Sequence, residues 1–223
     1  MAINTVCTGS IAFNTGVGTS ATVPMTTIAP AGSILIACVT ATGGSARTFT
    51  PPDNDWILIL RQDNGTNPAN ATYYKIASVG EPSSYIFTID NAVSTAVTIV
   101  GFTGVNTNNP LAGTGFANGV TSSTITYGAV TSSTSNGRLM KTVAARNTSA
   151  QPTVINGGAN TNLLIQSSNT ASTYMLSSIM QDVATGIGSI TPEDSLLDVS
   201  CQKATITFVL NEAVSAPAPW MSN

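Results

Sequence analysis

Two acidic groups hold most of the chemistry this chain could perform. In Pro51-Pro52-Asp53-Asn54-Asp55-Trp56, three oxygen-bearing side chains stand in a row. They resemble the opening of a calcium loop, where alternate oxygens face the ion. The calcium signature also needs a glycine and a distal glutamate, and neither is correctly placed. A turn closed by Asx hydrogen bonds, leading into a strand that starts at Trp56, accounts for the same residues. Glu193, Asp194 and Asp198 form the second group, which could hold a cation or serve as an acid/base pair. Glycoside hydrolysis needs two carboxyls about 5–10 Å apart across a cleft. Asp90 with Glu193 is an example of such a pair, but nothing in the sequence nominates it. Both groups are expected to be turn residues. No catalytic, cofactor-binding or metal-ligating residue is assigned.

Other reactive types fare no better. The chain has no histidine, so a Ser-His-Asp triad cannot form. A Ser-Lys dyad would need Lys75, Lys141 or Lys203, and Lys75 follows Tyr73-Tyr74 in an expected strand with no S-x-x-K beside it. Cys7, Cys38 and Cys201 lack C-x-x-C spacing, so buried thiols are expected and a zinc site is not. The glycines spell neither G-x-G-x-x-G nor a phosphate loop; Gly43-Gly44 and Gly157-Gly158 read as hairpin turns. Tyr73, Tyr74, Tyr85, Tyr127 and Tyr174 could form a sugar-stacking platform, but core and rim positions are the simpler expectation. The sequons at Asn64, Asn70 and Asn147 matter only on a eukaryotic secretory route.

Composition sets the frame for these residues. Of 223 residues only 8% are charged, 42% are hydrophobic and the net charge is −3. Mean hydropathy is +0.23. Disorder needs low hydrophobicity together with high net charge, so this chain should fold. A pI near 4.6 and seven scattered Lys and Arg do not suit phosphate neutralisation, and nucleic acid is not an expected partner. No apolar run approaches the roughly 18 residues of a bilayer span. The first basic residue is Arg47, so no signal peptide is expected.

The elements that must position these residues are strands. Apolar and β-branched stretches alternate with Gly, Pro, Asn and Ser clusters. Strands are expected at 3–13, 22–28, 33–42, 56–63, 70–78, 84–90, 95–105, 123–130, 138–147, 162–167, 171–181 and 202–211. Thr95-Ala96-Val97-Thr98-Ile99-Val100 and Ala204-Thr205-Ile206-Thr207-Phe208-Val209 are expected to turn Thr to one face and apolar groups to the other. Thr191-Pro192-Glu193-Asp194-Ser195-Leu196-Leu197 suits either a short helix or a loop. The fold class expected is all-β: an antiparallel, jelly-roll-like β-sandwich with little or no helix. Gly32-Ser33-Ile34-Leu35 has a counterpart in Gly137-Arg138-Leu139-Met140, and Ala71-Thr72-Tyr73-Tyr74 in Ser172-Thr173-Tyr174-Met175. The expected organisation is one sandwich over 1–213, with related halves near 1–106 and 123–213. Beyond it, 214–223 forms an extended tail that its prolines keep out of a central strand.

One series is recognisable as a whole. It runs through Pro30-Ala31-Gly32-Ser33-Ile34-Leu35-Ile36-Ala37, Thr50-Pro51-Pro52, Trp56 and Ala71-Thr72-Tyr73-Tyr74-Lys75-Ile76-Ala77. It continues through Glu81-Pro82-Ser83-Ser84-Tyr85-Ile86-Phe87-Thr88 to Gly101-Phe102-Thr103-Gly104-Val105. This series resembles β-sandwich modules of tailed-phage virion proteins and bacterial surface proteins; residues 124–210 fit more loosely. The matching residues are core and turn positions, so the resemblance implies a scaffold and transfers no active site. It implies a non-enzymatic structural protein of a bacteriophage virion, made in the host cytoplasm. The favoured role is a capsid decoration (cement) protein bound as an oligomer to the major capsid protein, with 1–10 and 214–223 as contact arms. The alternative is a tail fibre, spike or baseplate adhesin, or a carbohydrate-binding module.

Overall fold

The computed structural model describes residues 2–12, 18–156, 158, 161–169 and 173–213. Eight strands make up the first half: β1 (Asn4–Ala12), β2 (Gly18–Pro24), β3 (Ile34–Ala41), β4 (Phe49–Thr50), β5 (Ile57–Asp63), β6 (Ala69–Ile76), β7 (Ser84–Val93) and β8 (Thr95–Thr103). Eight more make up the second: β9 (Leu111–Ile125), β10 (Val130–Ser132), β11 (Gly137–Asn147), β12 (Val154–Asn156), β13 (Asn162–Ser168), β14 (Tyr174–Thr185), β15 (Gly188–Ile190) and β16 (Ser195–Asn211). All pairings between them are antiparallel. Among the described residues the one helical element is a 3₁₀ turn, Gly44–Ala46. The all-β sandwich expected from the sequence is the fold observed.

The two halves share one strand order. The first half forms a sheet β1-β8-β3-β6-β5, covered by a smaller sheet β2-β7-β4. This is the jelly-roll order, with β5 pairing to β6 in the large sheet and not to β4 in the small one. In the second half β16 lies between β9 and β11, and β14 and β13 follow, so each place holds the strand eight positions later. Its small outer sheet is β10-β15, while β12 pairs with the start of β16.

The large sheets pack face to face, which gives four layers. Leu35, Ala37 and Val39 of β3 point outward to Val23, Tyr85, Phe87 and Ile89 of the small sheet. Ile34, Ile36 and Cys38 point the other way, to Met140, Ile179, Ile206 and Phe208 of the second half. All eight residues of β3 are therefore buried. The contact is isologous in form: β5 lies over β9 and β16 as β13 lies over β1 and β8, and β6 meets β16 as β14 meets β8.

Several expectations are corrected. Thr191–Asp194 form neither helix nor strand, and β16 begins at Ser195; of the two readings of this segment, the loop holds up to that point. The stretch 107–122 was expected to contain no strand, yet most of it is β9, which ends at Ile125 instead of continuing to 130. Glycines on both sides of this seam serve close approach: a Cβ on Gly115 of β9 would strike the carbonyl of Ala129, and one on Gly128 beyond it the backbone of Phe116. The Thr faces of β8 and β16 do not meet solvent, because sheets covered on both sides have no wet face. In β8 Thr95 shares its face with Val97 and Ile99, so the alternation fails there. Residues 4–12 are an edge strand paired with β8, not a free arm. The tail 214–223 and Gly157 lie outside the described residues.

Candidate functional site

The first acidic group is consumed in local structure. Asp53 Oδ1 accepts the Asp55 N–H at 2.9 Å, closing the expected Asx turn. Its Oδ2 accepts from Lys75 Nζ at 3.0 Å. Lys75, on β6, is also 3.2 Å from Glu81 and 3.9 Å from Asp55. Glu81 accepts from the Ser78 N–H (2.8 Å), the Ser78 hydroxyl (3.1 Å) and the Tyr85 hydroxyl (2.6 Å). Burial alone would raise the Glu81 carboxyl, but these donors and Lys75 outweigh it and hold it below the ordinary value. Burial alone would lower Lys75, but Asp53 and Glu81 outweigh it and hold its ammonium above the usual range. Both groups therefore stay charged near neutrality, and the cluster clamps the Pro51–Trp56 turn against β6. Trp56 packs edge-on to Tyr85 and Phe87, with ring centroids 5.3 Å away in each case.

The second acidic group divides: Glu193 and Asp194 lie within electrostatic reach of Lys141, and Asp198 stands apart. Asp198 brackets Thr153: its N–H donates to the Thr153 carbonyl and its Oδ1 accepts the Thr153 N–H. The Glu193 carbonyl accepts from Lys141 Nζ at 2.9 Å. Asp90 pairs with Arg47 at 3.5 Å on outer strand β7 of the first half. Asp90 and Glu193 thus belong to opposite outer sides of the stack and form no cleft pair. Among the described residues no group of three or more Cys, Asp or Glu is placed to hold a metal ion.

The remaining reactive residues are mostly interior. Tyr73, Tyr85 and Tyr127 are buried, so the five tyrosines form no platform. All three cysteines are free and buried. Burial pushes the Cys38 thiol up to about 12 and the Cys201 thiol up to about 11, so both are un-ionised at neutral pH. An S-x-x-K does occur at Ser200–Lys203, but Ser200 is exposed while Lys203 is buried and donates to the Ser122 and Cys201 carbonyls. Of the sequon asparagines, Asn70 is fully buried. Asn64 donates across the halves to the carbonyls of Gly119 and Lys203.

A polar network missed in the sequence sits at the centre of the contact between the large sheets. The Thr72 and Thr142 hydroxyls are 2.8 Å apart, Asn70 Nδ2 donates to Thr142 Oγ1 and to the Ala204 carbonyl, and the Thr98 and Ser177 hydroxyls are 2.8 Å apart. Every one of these side chains is fully buried. Its partners lie far apart in sequence, so no local pattern announces it.

Two depressions mark the described surface. A shallow depression is lined by Thr121, Arg146, Asn147, Thr148, Ser200 and Gln202. There Arg146 Nη1 donates to Asn67 Oδ1 (2.9 Å) and Gln202 Oε1 (3.0 Å). Such a lining of hydroxyls and amides round one guanidinium can hydrogen-bond a neutral or singly anionic polar group, and holds no base or nucleophile. A second depression is lined by Asn54, Asp55, Ile57 and Ile76. Comparison of the chain with protein-family models, curated proteins and solved structures finds no match.

Proposed function

We propose that this chain is a non-enzymatic structural protein of a tailed-phage particle, a capsid decoration (cement) protein bound to the assembled shell as an oligomer. The observation that carries the reading is that all three lysines lie inside the fold. Lys75, Glu81, Lys141 and Lys203 are enclosed and engaged with internal partners, while the outer surface is chiefly hydroxyls and amides. The resemblance of the 30–105 series to virion β-sandwich modules supports the same reading. So does the doubled jelly roll, because four rigid layers offer broad faces and little to move. Neutral hydrogen bonds are not screened by salt, so such contacts persist where ion pairs weaken.

A tail adhesin or carbohydrate-binding protein is the second reading. The depression at Arg146 favours it, because hydroxyl and amide linings match the groups of a sugar. The test mixes purified chain with shells that lack it and sediments them through rising salt. The proposal expects saturable binding that changes less than tenfold between 50 mM and 500 mM salt, on the order expected when few charges are neutralised. Glycan binding lost on Arg146→Ala, with no shell binding, would favour the adhesin instead.

A further inference from the structure

One buried cluster has chemistry that the proposed role does not use. Lys141 on β11 and Asp182 on β14 lie on adjacent strands, with their side chains 0% and 9% exposed. Lys141 Nζ is 3.1 Å from Asp182 Oδ2. The ammonium also donates to Thr161 Oγ1 at 2.7 Å and to the Glu193 carbonyl at 2.9 Å. The Thr161 hydroxyl in turn donates to Asp182 Oδ1. One hydroxyl therefore links the nitrogen to the carboxyl oxygen as a proton relay. The Tyr127 ring closes the site, its centroid 4.8 Å from Nζ.

We infer that Lys141 and Asp182 condense to an amide, a covalent cross-link between β11 and β14. Thr161 first passes one ammonium proton to Asp182 Oδ1; the freed Nζ lone pair then attacks Asp182 Cγ, the Nζ–Cγ bond forms and the Cγ–Oδ1 bond breaks. Of the three ammonium protons, one stays on the amide nitrogen and two leave with the oxygen as water, the first carried by Thr161. No electron changes hands and no co-reactant is needed. A buried ion pair is costly to desolvate, whereas the amide is neutral. The product also inherits a fitting partner: the Glu193 carbonyl, which accepts from Lys141 Nζ, is in place to accept from the amide N–H.

The other buried lysines serve as internal contrasts. Lys75 faces three carboxylates, which keep it an ammonium and a poor nucleophile. Among the described residues Lys203 has no carboxyl group as a hydrogen-bond partner. At Lys141 burial outweighs Asp182, Glu193 and Asp194, which all favour the charged form, and holds the amine below its usual range, toward the nucleophilic form. The inference rests on this geometry and is independent of the virion assignment.

The test is mass spectrometry of the purified full chain, unfolded in acid and then mapped by proteolysis. The expected result is a mass lower than the sequence by one water, with the Lys141 and Asp182 peptides joined. Lys141→Arg and Asp182→Ala should restore the full sequence mass. Asp182→Asn should form the same amide by losing ammonia, and so match the cross-linked wild type. Separate wild-type peptides at full mass would overturn the inference, whether or not the variants fold. A water loss that survives Lys141→Arg would overturn it too, because that marks a cyclised aspartate.

Discussion

At the scale of single residues, buried polar groups hold the halves in register. Removing one hydroxyl from the Thr72–Thr142 pair deletes one bond of a dry network, while the survivor keeps Asn70 as a partner. Thr72→Val or Thr142→Val should each cost about 0.5–1.5 kcal/mol. The double variant should cost less than the sum, with a coupling of roughly 0.5–3 kcal/mol. Urea unfolding of the four proteins measures this; strict additivity would mean that the hydroxyls act separately. The Lys75–Glu81 clamp predicts pH dependence. The folded-state pKa of Glu81 lies below its unfolded value, so its contribution is present above the unfolded value and is lost as pH falls through the folded one. Lys75 is raised, so its contribution is complete below its unfolded value and is lost as pH rises through the folded one. Glu81→Gln should lower stability at pH 7 and flatten the acid limb of thermal midpoints measured against pH. An acid limb identical to wild type would contradict the clamp. The Asx turn at Asp53 was legible because its bond spans two residues. The partners of Asn70 and Lys141 were not, because sheet packing brings them together from distant segments.

At the scale of elements, the strands easiest to read were those buried on both faces, such as β3 and β11. Their apolar runs are bounded by turn residues. Strand β9 was hidden because its glycines read as loop, although they are there to let the segment at 128–131 lie against it. Gly115→Ala should therefore destabilise by about 1–3 kcal/mol through overpacking, read as a shift in urea midpoint. No shift would mean that the seam is loose. The internal repeat was visible, but its register was not. Matching Gly32 to Gly137 sets Leu35 against Met140, yet Leu35 faces the outer sheet and Met140 faces the other half. A slip of one residue reverses every face, and glycine spacing alone cannot detect it.

At the scale of the whole molecule, two jelly rolls joined through their large sheets make a single block. Phe102 and Phe208 are fully buried in that join. Phe208→Ala should cost about 3–5 kcal/mol, and wild type and variant should each unfold in one calorimetric transition. Two transitions in the wild type would mean that the halves stand alone. A block of this kind, with its three lysines enclosed and many hydroxyls and amides outside, is consistent with the proposed attachment to a shell. The most direct test is to find the chain in its native particle, by labelling it with an antibody and imaging phage by cryo-electron microscopy. Label spread in regular array over the shell is the predicted outcome. Label confined to the tail tip, or absent from the particle, would contradict the account.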